Sequence, residues 1–312
     1  MMNAEQTATL DQVDAGPARP VGRRVQWMGA VLLALMMLSW SSGFVGYRYA
    51  AEGSGVMLVT FWRFVVAALL ILPFVARTLP GISWREVRQH IVVGLLGIAG
   101  FIALIASSIQ LGVAPGTSSL IANLLPLSIV LMAGFIPGQR TQGRQWFGVA
   151  LCIAGMLIAS AVSVEISRAS VWAYSLPALA VLSLTAATLY QKRAAPDSVP
   201  AMTALFIQIC ATLPVFAGLA LLEGSIVPVM TLRFGFSVLW LVVFATLGGY
   251  GFYWLCLQRF SMQSVSGALF LTPPVTMIWA SVQFGDPLSG SALLGVALTL
   301  LGLPFLRRRD QA

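Results

Sequence analysis

The sequence GVALCIAG at residues 148–155 returns 147 positions later as GVALTLLG at residues 295–302. The same spacing relates three further identical pairs, namely Ser119 and Ser266, Pro126 and Pro273, and Gly138 and Gly285. Self-similarity at a fixed spacing is the mark of a repeated structural unit, and 147 residues is far longer than the repeat of a solenoid. The spacing therefore indicates two halves of about equal length.

Composition places the chain in a membrane. Of the 312 residues 58% are hydrophobic and 9% are charged, and the mean hydropathy is +0.89. A soluble domain has about a quarter charged residues, so this chain is not expected to be a water-soluble globule. A helix needs about 20 apolar residues to cross a bilayer. Ten such runs are present: 26–47, 56–76, 90–111, 117–136, 144–163, 171–191, 200–222, 236–257, 263–284 and 288–306.

The ten runs divide into two repeats, 26–163 and 171–306, and because five is odd the second repeat would enter the membrane in the opposite direction. We therefore predict an all-α integral membrane protein with ten transmembrane helices in two inverted five-helix repeats. Residues 1–24 lack apolar periodicity and are predicted to be a flexible cytoplasmic tail, and 307–312 a basic cytoplasmic tail. Inverted repeats are typical of secondary transporters. The alternative is that duplication merely doubled a helix bundle.

The net charge of +8 is explained by topology. With the N-terminus in the cytoplasm, three basic residues lie outside (Arg48, Arg168 and Arg233) and Arg63 lies within a span. The others lie inside: Arg19, Arg23, Arg24, Arg77, Arg85, Arg88, Arg140, Arg144, Lys192, Arg193, Arg259, Arg307, Arg308 and Arg309. This bias follows the positive-inside rule. We therefore expect both termini in the cytoplasm, a lipid bilayer as the environment and no nucleic-acid partner.

Several motifs resemble those of a known family. The ten runs in two halves, LSWSSGFVGYRYA at residues 38–50, TFWRF at residues 60–64 and the GVAL-x-x-x-G helix ending each half are similar to the EamA family of the drug/metabolite transporter superfamily. The resemblance covers about residues 29–306. It implies a ten-helix fold with a central cavity, and export of amino acids, related metabolites or toxic compounds across the bacterial inner membrane.

One motif departs from the family pattern. The family often has Glu before the last helix of each half, in a G-E-R or G-E-P context, whereas this chain has Gly138-Gln139-Arg140 and Gly285-Asp286-Pro287. Asp followed by Pro is typical of an N-cap and first helical position. The sequence therefore predicts that Asp286 caps the last helix.

The glycines of the repeated motif predict close helix packing. Gly148 and Gly155 lie two helical turns apart on one face, and so do Gly295 and Gly302. Small residues on one face let membrane helices approach closely. Two alternatives stay open: the faces pack within one chain, or they form a homodimer.

Paired prolines mark the first candidate substrate site. Pro126 and Pro273 fall at the middle of the fourth and ninth runs, and each removes one helical hydrogen bond. Interruptions at corresponding positions of two halves point to a transporter binding site, whereas a plain kink is the alternative. Asn123 and Thr272 adjoin these breaks and are candidates for lining the cavity, although polar residues in membranes also join helices.

Further candidates lie on other spans. Tyr250, Tyr253 and Trp254 form one aromatic face of the eighth run, which either packs or lines the cavity. Weaker candidates are Trp40, Ser42 and Gln208. His90, the sole histidine, is expected to be an interfacial side chain.

Arg63 is the only formal charge within a span, and an intramembrane charge is a functional hypothesis by default. Its guanidinium suits a substrate carboxylate. However, it lies about 10 Å below the outer surface at 1.5 Å per residue, where it is able to reach the surface or to tie down the first span. We favour this structural interpretation.

The sequence lacks the motifs of an ATPase and of a metalloprotease. No G-x-x-x-x-G-K-[ST] loop or H-E-x-x-H pair is present, and no span holds a central carboxylate, so neither ATP hydrolysis nor proteolysis is expected. No cofactor, metal site or enzymatic activity is predicted. We expect an exporter of amino acids or related small metabolites that works by alternating access, either uncoupled or coupled through a group nearer the surface. The alternatives are a drug or nucleoside exporter, and a non-transporting receptor.

Overall fold

The computed structural model describes residues 23–53, 55–124, 128, 143–166, 169–193, 199–260, 265 and 268–306. Within these residues all regular structure is helical. The helices are α1 Arg23–Ala51, α2 Val56–Val75, α3 (Trp84–Val93, the π-helical segment Gly94–Gly100 and Phe101–Gln110), α4 Pro115–Ala122, α5 Gly143–Ile166, α6 Ser175–Arg193, α7 Ala201–Leu222, α8 (Leu232–Trp240, the π-helical segment Leu241–Gly248 and Gly249–Arg259), α9 Thr272–Phe284 and α10 Gly290–Leu306.

Within the described ranges six helices are long and apolar enough to cross a bilayer. These are Met28–Ala51, Val56–Val75, Trp84–Gln110, Val171–Gln191, Ala201–Leu222 and Leu232–Tyr253. The fourth predicted run, 117–136, falls largely on residues outside the described ranges, and the fifth and tenth runs contain the shorter apolar helices Gly143–Ile158 and Gly290–Gly302. The chain therefore has the fold of a multi-pass helical membrane protein.

Helices α2 and α7 form an antiparallel pair at the centre of the main hydrophobic core. The Phe64 and Phe216 rings pack with their centroids 5.5 Å apart. At one end of the pair the hydroxyls of Thr78 and Thr203 lie 2.7 Å apart. At the other end Glu223 accepts hydrogen bonds from the first backbone amides of α2. A carboxylate suits this place because the amides at a helix N-terminus lack intrahelical partners and carry partial positive charge.

The two GVAL helices, α5 and α10, also pack antiparallel. A methyl group on Gly155 would collide with the Gly295 carbonyl oxygen, and one on Gly302 would lie 2.8 Å from the Gly148 carbonyl oxygen. These contacts require glycine, because any side chain would force the helices apart. The glycine faces therefore meet within one chain. This is one of the two alternatives that the sequence left open, and a homodimer through these helices stays a prediction.

The spacing of 147 residues recurs in the helix geometry. The π-helical segments begin at Gly94 and Leu241, and α5 and α10 begin at Gly143 and Gly290. Each of these pairs is 147 positions apart. A π-helical turn holds one residue more than an α-helical turn and is rare. Two of them at matching positions extend the correspondence beyond the GVAL motif.

Candidate functional site

An aromatic cluster, formed by Trp40, Tyr250 and Tyr253, joins α1 to α8. The Trp40 ring lies 6.2 Å from the Tyr250 ring in an edge-to-face arrangement and 5.9 Å from the Tyr253 ring. Gly248 permits the close approach, because a methyl group there would lie 3.0 Å from Ser39 Oγ. All three rings are half-buried. The structure thus brings together three of the residues that the sequence predicts for the cavity.

An arginine cluster lies beside the aromatic one and is formed by Arg63, Tyr47, Thr60 and Thr246. Arg63 is 4% exposed. Its Nε donates to Thr246 Oγ1 at 2.8 Å and its Nη1 donates to the Tyr47 hydroxyl at 3.0 Å. Its guanidinium also lies over the Tyr47 and Phe64 rings, 5.8 and 5.1 Å from their centroids. Arg63 is therefore buried among three helices and does not reach the surface.

The π-helical segment of α8 orients the Thr246 hydroxyl so that it accepts a hydrogen bond from Arg63. Thr246 Oγ1 donates to the Leu241 carbonyl oxygen, five residues earlier, at 3.0 Å. With its only proton used in that bond, the hydroxyl presents lone pairs to Arg63. On the other side, Thr60 Oγ1 lies 3.1 Å from the Tyr47 hydroxyl, which accepts from Arg63 Nη1. Tyr250 follows Thr246 by four residues on α8, and Trp40 precedes Tyr47 by seven residues on α1, so the two clusters lie between the same two helices.

The ninth predicted run begins a new helix at the proline. Leu271 N donates to the Ala268 carbonyl oxygen in a turn, and Pro273 then occupies the first turn of α9. The chain is therefore interrupted before Pro273, and the alternative of a plain kink in a continuous helix does not apply in this half. A proline fits a first helical turn because those amides have no intrahelical partner. Thr272 is 1% exposed, and its hydroxyl has no hydrogen-bond partner among the described residues.

The remaining break residues are only partly described. Asn123 ends α4 as a half-buried C-cap residue, and its side chain has no partner within the described ranges. Pro126 lies outside the described residues, and so does the side chain of Trp254. Ser42 is fully buried, its hydroxyl donates to the Ser39 carbonyl oxygen at 2.6 Å, and its own carbonyl accepts from Trp240.

Gln208 lies away from both clusters. Its Nε2 is 3.2 Å from His90 Nδ1, in a contact between α7 and α3. His90 is 2% exposed. This burial arises because α3 begins at Trp84 and packs this face against α7, while the position of His90 at the membrane interface stays a prediction.

Three charged residues pair where α1 ends. Glu52 Oε1 lies 3.6 Å from Arg48 Nε, and Glu52 Oε2 lies 3.5 Å from Arg233 Nη1. Asp286 lies between α9 and α10: burial raises the pKa of its carboxyl, the positive charge of Arg48 opposes the rise, and the negative charge of Glu52 adds to it. The prediction that Asp286 caps the last helix is wrong. Helix α10 begins four residues later, where Ser289 Oγ accepts from Ala292 N at 3.1 Å.

Sequence patterns missed three members of the arginine cluster, namely Tyr47, Thr60 and Thr246. A buried guanidinium needs hydrogen-bond acceptors, so polar residues on neighbouring spans are an available signal. Tyr47 stands in the LSWSSGFVGYRYA motif, which indicates a special position. Thr246 has no such mark, because the π-helical segment that orients it cannot be read from hydrophobic periodicity.

The fold and the site define a class: a multi-pass helical membrane protein with aromatic rings and a buried cation gathered between its helices. Comparison with known proteins identifies the family. The sequence profile of the EamA-like transporter family matches this chain twice, at residues 27–161 and 171–308. The chain therefore belongs to the EamA-like transporter family.

Named relatives extend over most of the chain. A protein of Escherichia coli (strain K12) with the name "Probable amino-acid metabolite efflux pump" is 25% identical over 284 residues, which is 88% of this chain and 92% of the relative. A "Probable terminal-alkyne amino-acid exporter" of Streptantibioticus cattleyicolor is 26% identical over 89% of this chain and 92% of its own length. One solved crystal structure, 18% identical, covers 89% of this chain and 97% of its own with a TM-score of 0.60, which shows a shared fold.

Proposed function

We propose that this protein is a secondary transporter of the bacterial inner membrane that exports amino acids or related small metabolites by alternating access. The observation that carries the proposal is the double match to a transporter family, and two relatives named as amino-acid exporters align over nearly the whole chain. A transporter of this kind uses ion gradients or substrate gradients and performs no chemistry on its substrate. We propose no enzymatic activity and no cofactor.

The architecture that we propose is ten transmembrane helices in two inverted repeats, 26–163 and 171–306, with cytoplasmic tails at 1–24 and 307–312. Three features support it: the antiparallel pairing of α2 with α7, the antiparallel pairing of α5 with α10, and the π-helical segments 147 positions apart. Two similar halves of opposite orientation can exchange conformations, so that one site opens to each side in turn.

The substrate site that we propose lies between the halves. The first half contributes Trp40, Arg63 and Asn123, and the second contributes Tyr250, Tyr253 and Thr272. Pro126, Pro273 and the aromatic face that includes Trp254 belong to the same proposal. The aromatic rings supply apolar surface with polar edges, and Thr272 offers a buried hydroxyl that has no bond in the described part of the chain. Ser42 and Gln208 are left out, because each is engaged by its own neighbours.

Uptake into inside-out membrane vesicles tests the proposed function. Each of the 20 common amino acids is supplied in labelled form to vesicles that carry the wild-type protein, Trp40→Leu or Asn123→Leu. The matched control is Trp84→Leu, since Trp84 is exposed at the start of α3. We expect saturable uptake of at least one amino acid by the wild type and the control, and at least about a tenfold loss of uptake in Trp40→Leu, a change of 1.4 kcal/mol in effective affinity.

The same assay separates the other functions. Uptake of labelled nucleosides or cationic drugs, with no uptake of any amino acid, would change the substrate class and leave the transporter assignment intact. Binding without flux of any of these compounds would contradict transport and favour a receptor. Uptake that persists when the proton gradient is collapsed, with the potential held constant, is expected because no carboxylate lies in the centre of a span.

A further inference from the structure

Among the residues that the structure describes, Arg63 is a buried cation without a partner of opposite charge. Within the described residues no carboxylate lies within 4.0 Å of its guanidinium, and its hydrogen bonds go to two neutral hydroxyls, those of Thr246 and Tyr47. The described carboxylates near the same end of the bundle are engaged elsewhere. Glu52 pairs with Arg48 and Arg233, and Glu223 caps α2.

This environment leaves the charge only partly compensated. Two hydroxyls and the faces of two aromatic rings stabilise a guanidinium, but a buried ion without a counter-ion remains strongly unfavourable, particularly within a bilayer. An anion that bound beside Arg63 would therefore gain more binding free energy than it would beside a solvated arginine.

Packing alone does not require a charge at this position. The residue 147 positions after Arg63 is Cys210, which packs against the main hydrophobic core from α7. The second half thus fills the corresponding place on its helix with a small neutral side chain. A structural role for Arg63, joining α1, α2 and α8, needs hydrogen bonds and no charge.

Two of the five guanidinium protons of Arg63 are occupied in the described part of the chain, which leaves three donors for a ligand. Nε bonds Thr246 and one Nη1 proton bonds Tyr47, so the second Nη1 proton and both Nη2 protons have no acceptor in the described part of the chain. Protons on Nη1 and Nη2 that point along the end of the guanidinium form a fork that matches the two oxygens of a carboxylate. Tyr250 lies four residues after Thr246 on α8, and its ring centroid is 6.2 Å from that of Trp40, so this aromatic surface lies near the arginine cluster and is available to the rest of a ligand.

We propose that the Nη1/Nη2 edge of Arg63 binds the carboxylate of the exported substrate, while the aromatic cluster of Trp40, Tyr250 and Tyr253 contacts its apolar body. This inference rests on the proposed function and adds the chemical group that the protein recognises: a free carboxylate on a molecule with an apolar side chain.

Ligand-induced stabilisation of the purified protein tests the inference independently of transport. The thermal midpoint in detergent is measured with L-leucine, L-methionine and L-phenylalanine, and with the amides of the same three amino acids. We expect at least one amino acid to stabilise the wild-type protein at a concentration at least about tenfold lower than its amide. Arg63→Gln should abolish this preference, and Arg63→Lys should retain part of it, because an ammonium keeps the charge and loses the fork.

The control variant is Arg144→Gln, because Arg144 lies at the surface and donates to the Pro304 carbonyl oxygen, far along the chain from this site. It should keep the wild-type preference. Equal stabilisation of the wild type by acid and amide would overturn the inference even if Arg63→Gln did not fold. A preference that survived in folded Arg63→Gln would also overturn it, while vesicle uptake of amino acids would leave the proposed function standing. Failure of every amino acid in the vesicle assay would instead remove the proposed function itself.

Discussion

The two π-helical segments have matching backbones and different chemistry. The segment Leu241–Gly248 places Thr246 against the buried Arg63 and Leu241 in the core. The segment Gly94–Gly100 carries glycine where the other has Leu241, and packs directly on the backbone of α7 at Gln208. The residues that correspond to Arg63 and Thr246 in the other half, 147 positions away, are Cys210 and Ala99, neither of which is charged. The two segments share their helix geometry, and among the described residues only the second holds a buried charge, that of Arg63, through Thr246.

The largest expected effect comes from the position where the two segments differ in bulk. Leu241→Ala empties a site that is 0% exposed and should lower the free energy of unfolding by about 2–5 kcal/mol. Gly94→Ala should cost about 1–3 kcal/mol for the opposite reason, because the added methyl group would lie 2.7 Å from the Gln208 carbonyl oxygen. The unfolding midpoint in detergent, followed by tryptophan fluorescence, measures both.

Gly251→Ala is the matched control for this pair, because a methyl group at Gly251 meets nothing within 4 Å. Its midpoint should equal that of the wild type. A wild-type midpoint for Gly94→Ala would mean that the two segments are not packed differently, and the comparison would fail.

The next prediction concerns the packing of α5 on α10, where the two halves are alike. Gly155→Ala and Gly302→Ala should each cost about 1–3 kcal/mol, since each methyl group would press on the backbone of the partner helix. Gly143→Ala and Gly290→Ala, also 147 positions apart, should cost nothing, because both sites are open. The same fluorescence measurement applies. Unequal damage by the first two variants would contradict equivalent packing of α5 and α10.

A smaller effect is expected at positions 246 and 99, which correspond in the two halves and differ in polarity. Thr246→Val leaves Arg63 Nε without its acceptor and should cost about 1–2 kcal/mol, within the range for a buried donor left unsatisfied. Ala99→Ser, at the corresponding position of the first half, removes no partner. We expect its hydroxyl to bond a backbone carbonyl of its own helix, so the free energy of unfolding should stay within about 0.5 kcal/mol of the wild-type value. The unfolding midpoints of the two variants, measured in the same detergent, test this difference in stability. No loss in Thr246→Val would show that the π-helical segment does not serve Arg63.

The smallest effect concerns pH. Burial raises the pKa of the Asp286 carboxyl above its ordinary value, against the opposing charge of Arg48. The folded state therefore binds this proton more readily than the unfolded chain does, so the contribution to stability is present at low pH and is lost as the pH rises through the raised pKa. Asp286→Asn keeps a neutral side chain, as Gln139 does at the corresponding position of the first half. Its unfolding midpoint should fall less than that of the wild type between acidic and neutral pH, and parallel curves would contradict the shift.

The sequence predicts the membrane class, the family and most helix positions, because apolar length and a repeat register are directly visible in it. It also predicts the grouping of Trp40 with Tyr250 and Tyr253 as cavity candidates, although not their contact. It fails at Asp286, where the N-cap pattern is present but Ser289 caps the helix that begins at Gly290. At Pro273 it left an interruption and a kink open, and the structure has a new helix there. The arginine cluster could not be predicted whole, because a π-helical turn leaves no periodic signal.

The face of α5 is complementary to its own copy in α10, which is the property that defines an isologous interface. Such a surface does not need a covalent link to find its mate. An ancestral half-length chain that entered the membrane in both orientations would have been able to pair with itself through these glycines. Fusion of two copies fixes their ratio and, more importantly, releases each from having to work in both orientations. In this chain position 63 carries arginine and position 210 carries cysteine, a difference that two identical half-length chains could not have.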